Sequence, residues 1–169
     1  MHDVHILVAT DADYVLDDIT AALSGPDTSF TVCRDGRDVT KVVQGRTPDL
    51  AILDLQVGSM GAMAVTMALR LDESSGIGPH VPVLMLLDRK ADLHLAKRSA
   101  ADGWVIKPLD AMMLQAAVDA IIPPPTVPKS RGKTRRDAGS GEWATVGATH
   151  GDADAGAVDS GEEPTVAAG

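Results

Sequence analysis

Three ionisable side chains in this sequence are of the types that act on phosphate groups, and each comes after a short apolar run. They are Asp11, Asp54 and Lys107, and Thr10 stands directly before the first of them. Carboxylate oxygens are the ligands that hard cations such as Mg²⁺ prefer, and a lysine ammonium supplies a point charge for a phosphoryl oxygen. If the fold brings these side chains together, their predicted chemistry is that of a magnesium-dependent phosphate site.

The elements that must position these residues alternate along residues 1–122. Short apolar or β-branched runs suit strands buried on both faces of a parallel sheet, and they occur at Val4–Ala9, Phe30–Cys33, Leu50–Leu53, Val81–Leu87 and Trp104–Ile106. Segments with helical spacing of apolar residues follow each run, at residues 15–23, 39–45, 63–71, 92–100 and 109–122. The order is therefore (βα)₅.

This alternation predicts an α/β fold with a doubly wound parallel five-stranded sheet, because strand–helix–strand units make right-handed crossovers that cover both faces. Ligand sites in such sheets lie beyond the carboxyl ends of the strands. That edge would collect Thr10 and Asp11, Asp54, Lys107, and the pair Leu87-Asp88 after the fourth run.

The motifs, charge and apolar runs of the sequence argue against several classes of function. The segment ATDADYV after the first run has neither a dinucleotide fingerprint nor a P-loop, so nucleotide binding is not expected. A net charge of −9 argues against direct DNA binding. No apolar run reaches the roughly 18 residues of a membrane span. The N-terminus lacks the features of a secretory signal, and the single cysteine, Cys33, cannot form an internal disulfide, so we expect a cytoplasmic protein.

The composition changes at Ile122, which predicts a folded part at 1–122 and a disordered Pro/Gly/Ala-rich tail at 123–169. The tail has a basic cluster at residues 129–136 and then an acidic segment, and we interpret the cluster as a solvated linker. A nine-residue segment at Ser140–Ala148 recurs in part at Ser160–Ala168, sharing SGE-x-x-TV. Chance similarity and a repeated partner-binding motif both remain open.

Three segments at matching spacing resemble the receiver domain of bacterial two-component response regulators. Residues 48–55 (PDLAILDL) are similar to the family's third strand, residues 82–87 (PVLMLL) to its fourth, and residues 101–108 (ADGWVIKP) to its fifth strand with a cis Lys-Pro pair. The likeness covers residues 4–122. It implies the flavodoxin-like fold with strand order 2-1-3-4-5.

The resemblance also implies roles for individual residues. Asp54 would accept a phosphoryl group from a histidine kinase or phosphotransfer protein, and Lys107 would pair with that group. Mg²⁺ would be held by the side chains of Asp11 and Asp54 and by the backbone carbonyl of Gln56. The family's module transmits signals and is not expected to act as an enzyme in its own right.

At several positions the sequence departs from the family pattern. Thr10 stands where the family has a second acid, which predicts weaker Mg²⁺ binding. Leu87 replaces the Ser or Thr whose hydroxyl contacts the phosphoryl group, so that contact is lost. Asp88 replaces a small residue; it would either repel the phosphoryl group or point outward and cap the helix beginning near Lys90.

Two further positions are open between alternatives. Trp104 takes the place of the family's rotating aromatic, and it is either an outward part of a binding face or a half-buried strand residue that need not move. Asp13 is expected to cap the first helix, with water-mediated help to a metal as the alternative.

Two hypotheses follow for function. The first is a stand-alone receiver domain in a phosphorelay, phosphorylated on Asp54, which signals through a protein partner on the face of helix four, strand five and helix five, with a homodimer as a further arrangement. The second is a pseudo-receiver, a constitutive interaction module that ignores phosphorylation, suggested by Thr10, Leu87 and Asp88. Two measurements distinguish these hypotheses: phosphorylation of the chain by acetyl phosphate, and the affinity of the Asp54→Ala variant for the partner.

Overall fold

The computed structural model describes residues 3–123, in which strands and helices alternate strictly. The strands are β1 (Val4–Ala9), β2 (Thr28–Cys33), β3 (Leu50–Asp54), β4 (Val83–Leu87) and β5 (Gly103–Ile106). The helices are α1 (Asp13–Leu23), α2 (Gly36–Gly45), α3 (Ala62–Ser74), α4 (Leu93–Arg98) and α5 (Ala111–Ile121). The predicted tail at 123–169 and its repeat lie outside the described residues, apart from Pro123.

The strands form one parallel sheet in the order β2-β1-β3-β4-β5, so the predicted fold class and strand order are confirmed. The register places Asp54 of β3 beside Leu86 of β4, and Leu87 beside Ile106 of β5. The carboxyl ends of β3, β4 and β5 therefore lie side by side at one edge of the sheet.

Alternation of side chains along each strand divides the core into two layers. Leu7 and Ala9 of β1 face the layer that α2, α3 and α4 cover, whereas Ile6 and Val8 face the layer covered by α1 and α5. Both layers are closed by apolar helix residues at helical spacing, among them Val39, Val43, Val65 and Leu69 on one side and Val15, Ile19, Leu114 and Val118 on the other.

The two outer strands differ from the expectation of strands buried on both faces. Val32 of β2 is 41% exposed and Trp104 of β5 is 39% exposed, because each strand has a neighbour on one side only and its helices cover it incompletely. The three inner strands are buried almost throughout. The apolar runs in the sequence do not by themselves distinguish the edge strands of the sheet from its central strands.

Some element limits also differ from those predicted. The fourth strand begins at Val83 instead of Val81, since Pro82 has no N–H to donate to a neighbouring strand. The fourth helix is shorter than residues 92–100: a 3₁₀ turn at Lys90–Asp92 precedes it, and Ala100, with φ of 59°, lies beyond its end in the left-handed region. Within residues 3–123, no helix has both the length and the apolarity to cross a membrane.

Candidate functional site

Asp54 and Lys107 meet at the carboxyl edge of the sheet. Asp54 is the last residue of β3 and Lys107 follows β5, and their contact of 2.8 Å joins Oδ1 to Nζ. Both side chains are largely buried, at 3% and 13% exposed, and the Lys107–Pro108 peptide bond is cis. The backbone N–H of Gln56 also donates to Asp54 Oδ1, at 3.3 Å. The fold thus unites two residues that are distant in the sequence.

Thr10 binds the other oxygen of the same carboxylate. Its hydroxyl donates to Asp54 Oδ2 at 3.0 Å and accepts from the N–H of Ala12 at 3.2 Å, and the residue is fully buried. The position of Thr10 was singled out in the sequence as a lost acid. Its hydrogen bond to Asp54 was not predicted, because it depends on the side-chain rotamer and on the β1–β3 register.

Asp88 also binds Lys107, which contradicts one of the two interpretations of this residue. Asp88 Oδ1 lies 2.7 Å from Lys107 Nζ, and the 3₁₀ turn that follows has Arg89 at its N-cap, with no side-chain cap. The expectation that Asp88 points outward to cap the next helix is wrong, whereas its repulsion of a phosphoryl group stays a prediction. Asp88 Oδ2 is buried and has no hydrogen-bond partner among the described residues.

The two carboxylates determine the ionisation of Lys107. Burial lowers the pKa of Lys107, but its hydrogen bonds to Asp54 and Asp88 outweigh that effect, so its pKa lies above the ordinary value. Lys107 therefore carries its charge across the neutral range and can pair with an anion.

Asp11 is the second predicted carboxylate ligand, and it lies exposed at the same edge near the loop after β3. A Cβ added to Gly58 would come within 3.5 Å of Asp11 Oδ2, so the loop passes close to this carboxylate. The Gly36 N–H donates to the Gly58 carbonyl at 3.2 Å, and the Ser59 hydroxyl donates to Asp35 Oδ2 at 2.6 Å. These contacts hold the loop beside Asp11.

Gly36 is a residue whose structural role the sequence did not reveal. A Cβ at this position would lie 1.8 Å from the backbone oxygen of Met60, so only glycine allows α2 to begin against the loop. Asp35 caps α2 by accepting from the N–H of Arg37 at 2.8 Å. No local pattern in the sequence indicates this requirement, because the approach of the loop is a tertiary contact.

The donor set fits Mg²⁺ in chemical type. Asp11, Asp54 and the backbone carbonyl of Gln56 offer hard oxygen donors, which that cation prefers. Among the described residues there is no group of three or more His, Cys, Asp or Glu side chains able to hold a metal ion. The set therefore has two carboxylates at most, and one of them, Asp54, is already bonded to Thr10 and Lys107.

The predicted switch positions have different surroundings. Leu87 is fully buried in the core layer on the α2–α4 side, and its side chain has no hydrogen-bonding group. Trp104 is 39% exposed, with Lys97 Nζ 5.9 Å from the centre of its ring. This exposure agrees with both interpretations of Trp104.

The prediction that Asp13 caps the first helix is wrong. Ala12 is the N-cap residue of α1, which has no side-chain cap, and Asp13 instead forms an ion pair of 2.6 Å with Arg34. The reason is the start of the helix: Asp13 is already in its first turn, so its side chain turns outward to the neighbouring arginine.

Comparison with known proteins identifies the family. The family model described as the response regulator receiver domain matches residues 6–119. The transcriptional regulatory protein CseB of Streptomyces avermitilis is 30% identical over 120 residues, which are 70% of this chain and 48% of that protein. The regulator AfsQ1 of Streptomyces coelicolor is 23% identical over 119 residues, 69% of this chain and 50% of that protein. The chain thus spans about half the length of these relatives.

Solved structures agree at the level of the fold. The chemotaxis response regulator CheY4 of Vibrio cholerae has a TM-score of 0.61 at 20% identity, over 70% of this chain and 98% of that one. The receiver domain of sensor histidine kinase PA1611 of Pseudomonas aeruginosa, described with magnesium in its active-site cleft, has a TM-score of 0.61 at 19% identity, over 70% of this chain and 96% of that one. This chain belongs to the response regulator receiver domain family, as the resemblance indicated.

Proposed function

We propose that this receiver domain accepts a phosphoryl group on Asp54 and that Lys107 is the cation that pairs with the transferred group. The observation that carries the proposal is the 2.8 Å contact between Lys107 Nζ and Asp54 Oδ1 at the carboxyl edge of the sheet. A carboxylate and an ammonium held together at this edge supply a nucleophile and a charge for the group it attacks.

The donor in the proposed reaction is a phosphohistidine on a histidine kinase or phosphotransfer protein. A carboxylate oxygen of Asp54 attacks phosphorus, a P–O bond forms as the P–N bond breaks, and the imidazole nitrogen keeps the electron pair. The product is an acyl phosphate. The protein contributes mainly position and charge to such a transfer, and Mg²⁺ bound by Asp11, Asp54 and the Gln56 carbonyl would supply charge neutralisation.

The output is proposed to pass through protein contact on the surface formed by α4, β5 and α5. Trp104 of β5 and Met112 and Met113 of α5 are exposed, at 39%, 79% and 57%. Large apolar side chains that face solvent favour a protein partner over DNA, with a second copy of this chain as a further candidate. We place the protein in the cytoplasm, where histidine kinases present their phosphoryl groups.

Leu87 limits how phosphorylation is transmitted. It offers no hydroxyl to a phosphoryl group, so the response of Trp104 and its surroundings is expected to be smaller than in a domain with Ser or Thr at that position. We therefore propose a receiver in which phosphorylation at Asp54 is retained and the conformational switch is impaired.

The second candidate function is a pseudo-receiver that binds its partner constitutively. The observation that favours it is the saturation of the site by its own groups: Thr10 and Lys107 bind the two oxygens of Asp54, and Asp88 binds Lys107. In that case partner affinity is independent of phosphorylation.

The test is incubation of the full chain with acetyl phosphate and Mg²⁺, followed by intact mass spectrometry. Wild type should gain one phosphoryl group and Asp54→Asn none, while Asp18→Asn, which removes an exposed carboxylate of α1 near the site, should gain one as wild type does. No gain in wild type, even with a kinase, refutes the proposal. If the gain persists in Asp54→Asn, the acceptor is another residue.

Partner binding then separates the two candidates. A partner isolated with the phosphorylated domain should bind Asp54→Ala more weakly than phosphorylated wild type. Equal affinity for Asp54→Ala and for wild type in both states would instead support the constitutive module.

A further inference from the structure

Lys107 is shared between two carboxylates. Its Nζ lies 2.8 Å from Asp54 Oδ1 and 2.7 Å from Asp88 Oδ1, and Lys107 is the only cation in ion-pair contact with either acid among the described residues. One ammonium therefore balances the charge of only one of the two carboxylates that contact it. The contact to Asp88 is at least as close as the contact to Asp54, so Asp88 is a full partner of the amine.

Among the described residues, the carboxylate of Asp88 is held by Lys107 alone. Asp88 Oδ2 is buried without a partner in the described part of the chain, and such an oxygen carries an unfavourable desolvation cost. Asp54, in contrast, has further bonds from Thr10 and from the N–H of Gln56. When Lys107 binds another anion, Asp88 would therefore break fewer hydrogen bonds by moving away than Asp54 would.

Asp88 and Lys107 also share an opening to solvent. They line a cavity of about 360 Å³ together with Tyr14, Asp18, Pro108 and Leu109. The side chain of Asp88 is 30% exposed whereas that of Asp54 is 3% exposed. An anion that enters through this cavity meets the carboxylate of Asp88 beside the amine it would bind.

We propose that Asp88 is a positioning residue that occupies Lys107 as an internal anion, and that its carboxylate must leave Lys107 before the amine can bind a phosphoryl oxygen. The expected consequence is slower phosphorylation of Asp54, and this consequence rests on the proposed function. Phosphorylation is then slowed by a competition between two anions, the Asp88 carboxylate and a phosphoryl group, for the Lys107 ammonium. In the resting state the ammonium is bound to Asp88.

The experiment measures binding of inorganic phosphate to the full chain, without a phosphoryl donor, by NMR of the backbone amides of Lys107 and Gln56. Asp88→Asn keeps the shape of the side chain and removes its charge, and should bind phosphate about tenfold more tightly than wild type, since a like charge next to the amine has gone. Asp88→Glu keeps the charge and should bind as weakly as wild type.

Asp18→Asn is the matched control, because it removes one negative charge from the same cavity without touching the Lys107 pair. The proposal is overturned if Asp88→Asn binds phosphate no better than wild type, or if Asp18→Asn or Asp88→Glu gains as much as Asp88→Asn. The last two results would show a general effect of charge or a loosened loop.

A measurement on wild type keeps the test independent of whether a variant folds. The carboxyl ¹³C resonance of Asp88 should move as phosphate is added, because the carboxylate leaves Lys107, and an unmoved resonance at saturation overturns the proposal. Phosphorylation by acetyl phosphate is followed in parallel. Tighter phosphate binding by Asp88→Asn without phosphorylation of any variant would refute the role of Asp54 and leave the role of Asp88 intact.

Discussion

The hydroxyl of Thr10 donates a hydrogen bond to Asp54 Oδ2 at 3.0 Å, so a residue that stands in the place of an acid stabilises the carboxylate that it adjoins. Thr10 is fully buried and Asp54 is 2% exposed, which means that water cannot replace this bond. The exchange of an acid for a hydroxyl therefore removes a charge from the site and adds a donor to it.

Thr10→Val tests the energetic value of that bond. The substitution keeps the shape of the side chain and leaves Asp54 Oδ2 buried without this donor, so the free energy of unfolding should fall by about 1–3 kcal/mol. Urea denaturation measures the change. Thr20→Val is the control, since the Thr20 hydroxyl bonds carbonyls of its own helix, and an equal loss in both variants would contradict the assignment.

Lys107→Met should be the most destabilising substitution at the site. It leaves Asp54 unpaired while largely buried and removes the partner of Asp88, and breaking a buried ion pair costs about 3–5 kcal/mol. Denaturation at neutral pH measures the loss. Lys97→Met, which removes the contact of Lys97 with the Trp104 ring, should cost less than about 1 kcal/mol. A loss of that small size in Lys107→Met as well would show that Lys107 does not support the fold.

Gly36→Ala should destabilise the domain, whereas Gly45→Ala in the same helix should not. A Cβ at Gly36 would overlap the backbone oxygen of Met60, and the forced shift is expected to cost about 1–3 kcal/mol. A Cβ at Gly45 has no atom within 4 Å, so helix propensity should raise stability by up to about 1 kcal/mol. Thermal unfolding of both variants checks the sign of each change.

Asp35 gives a prediction of pH dependence. The Ser59 hydroxyl and the N–H of Arg37 donate to its carboxylate and hold the pKa of Asp35 below its usual range. Because the folded-state pKa is the lower one, the stabilisation is present above the unfolded-state pKa and is lost as pH falls through the folded-state pKa.

Ser59→Ala should therefore move the pKa of Asp35 back toward its ordinary value, as followed by the carboxyl ¹³C resonance during acid titration. Ser74→Ala, which removes a hydroxyl bonded to the Leu71 carbonyl of α3, is the control and should leave Asp35 unchanged. An unaltered Asp35 titration in Ser59→Ala would mean that the hydroxyl does not stabilise the carboxylate.

Much of the fold could be predicted from the sequence because its periodicity is strong. The apolar runs indicate all five strands, and the topology of parallel strand–helix units predicts that Asp54 and Lys107 lie at one edge of the sheet, as they do. The same argument drew attention to Thr10 and Asp88, since each follows a strand.

The partners of those residues could not be predicted. Whether Asp88 turns toward Lys107 or toward solvent depends on rotamers and on a loop conformation that no local pattern specifies. The need for glycine at Gly36 likewise comes from a distant backbone atom, the oxygen of Met60. The local sequence predicted the position of each residue in the fold, whereas the contacts of its side chain depend on tertiary packing.

The position of β1 between β2 and β3 has a consequence for how the domain folds. The strands that end at Ala9 and Asp54 are neighbours in the sheet, but α1, β2 and α2 separate them along the chain. Closing a loop of that length costs entropy before any pairing compensates it, which slows folding. Lys107 follows the last strand, so its contact with Asp54 can form only when that strand docks.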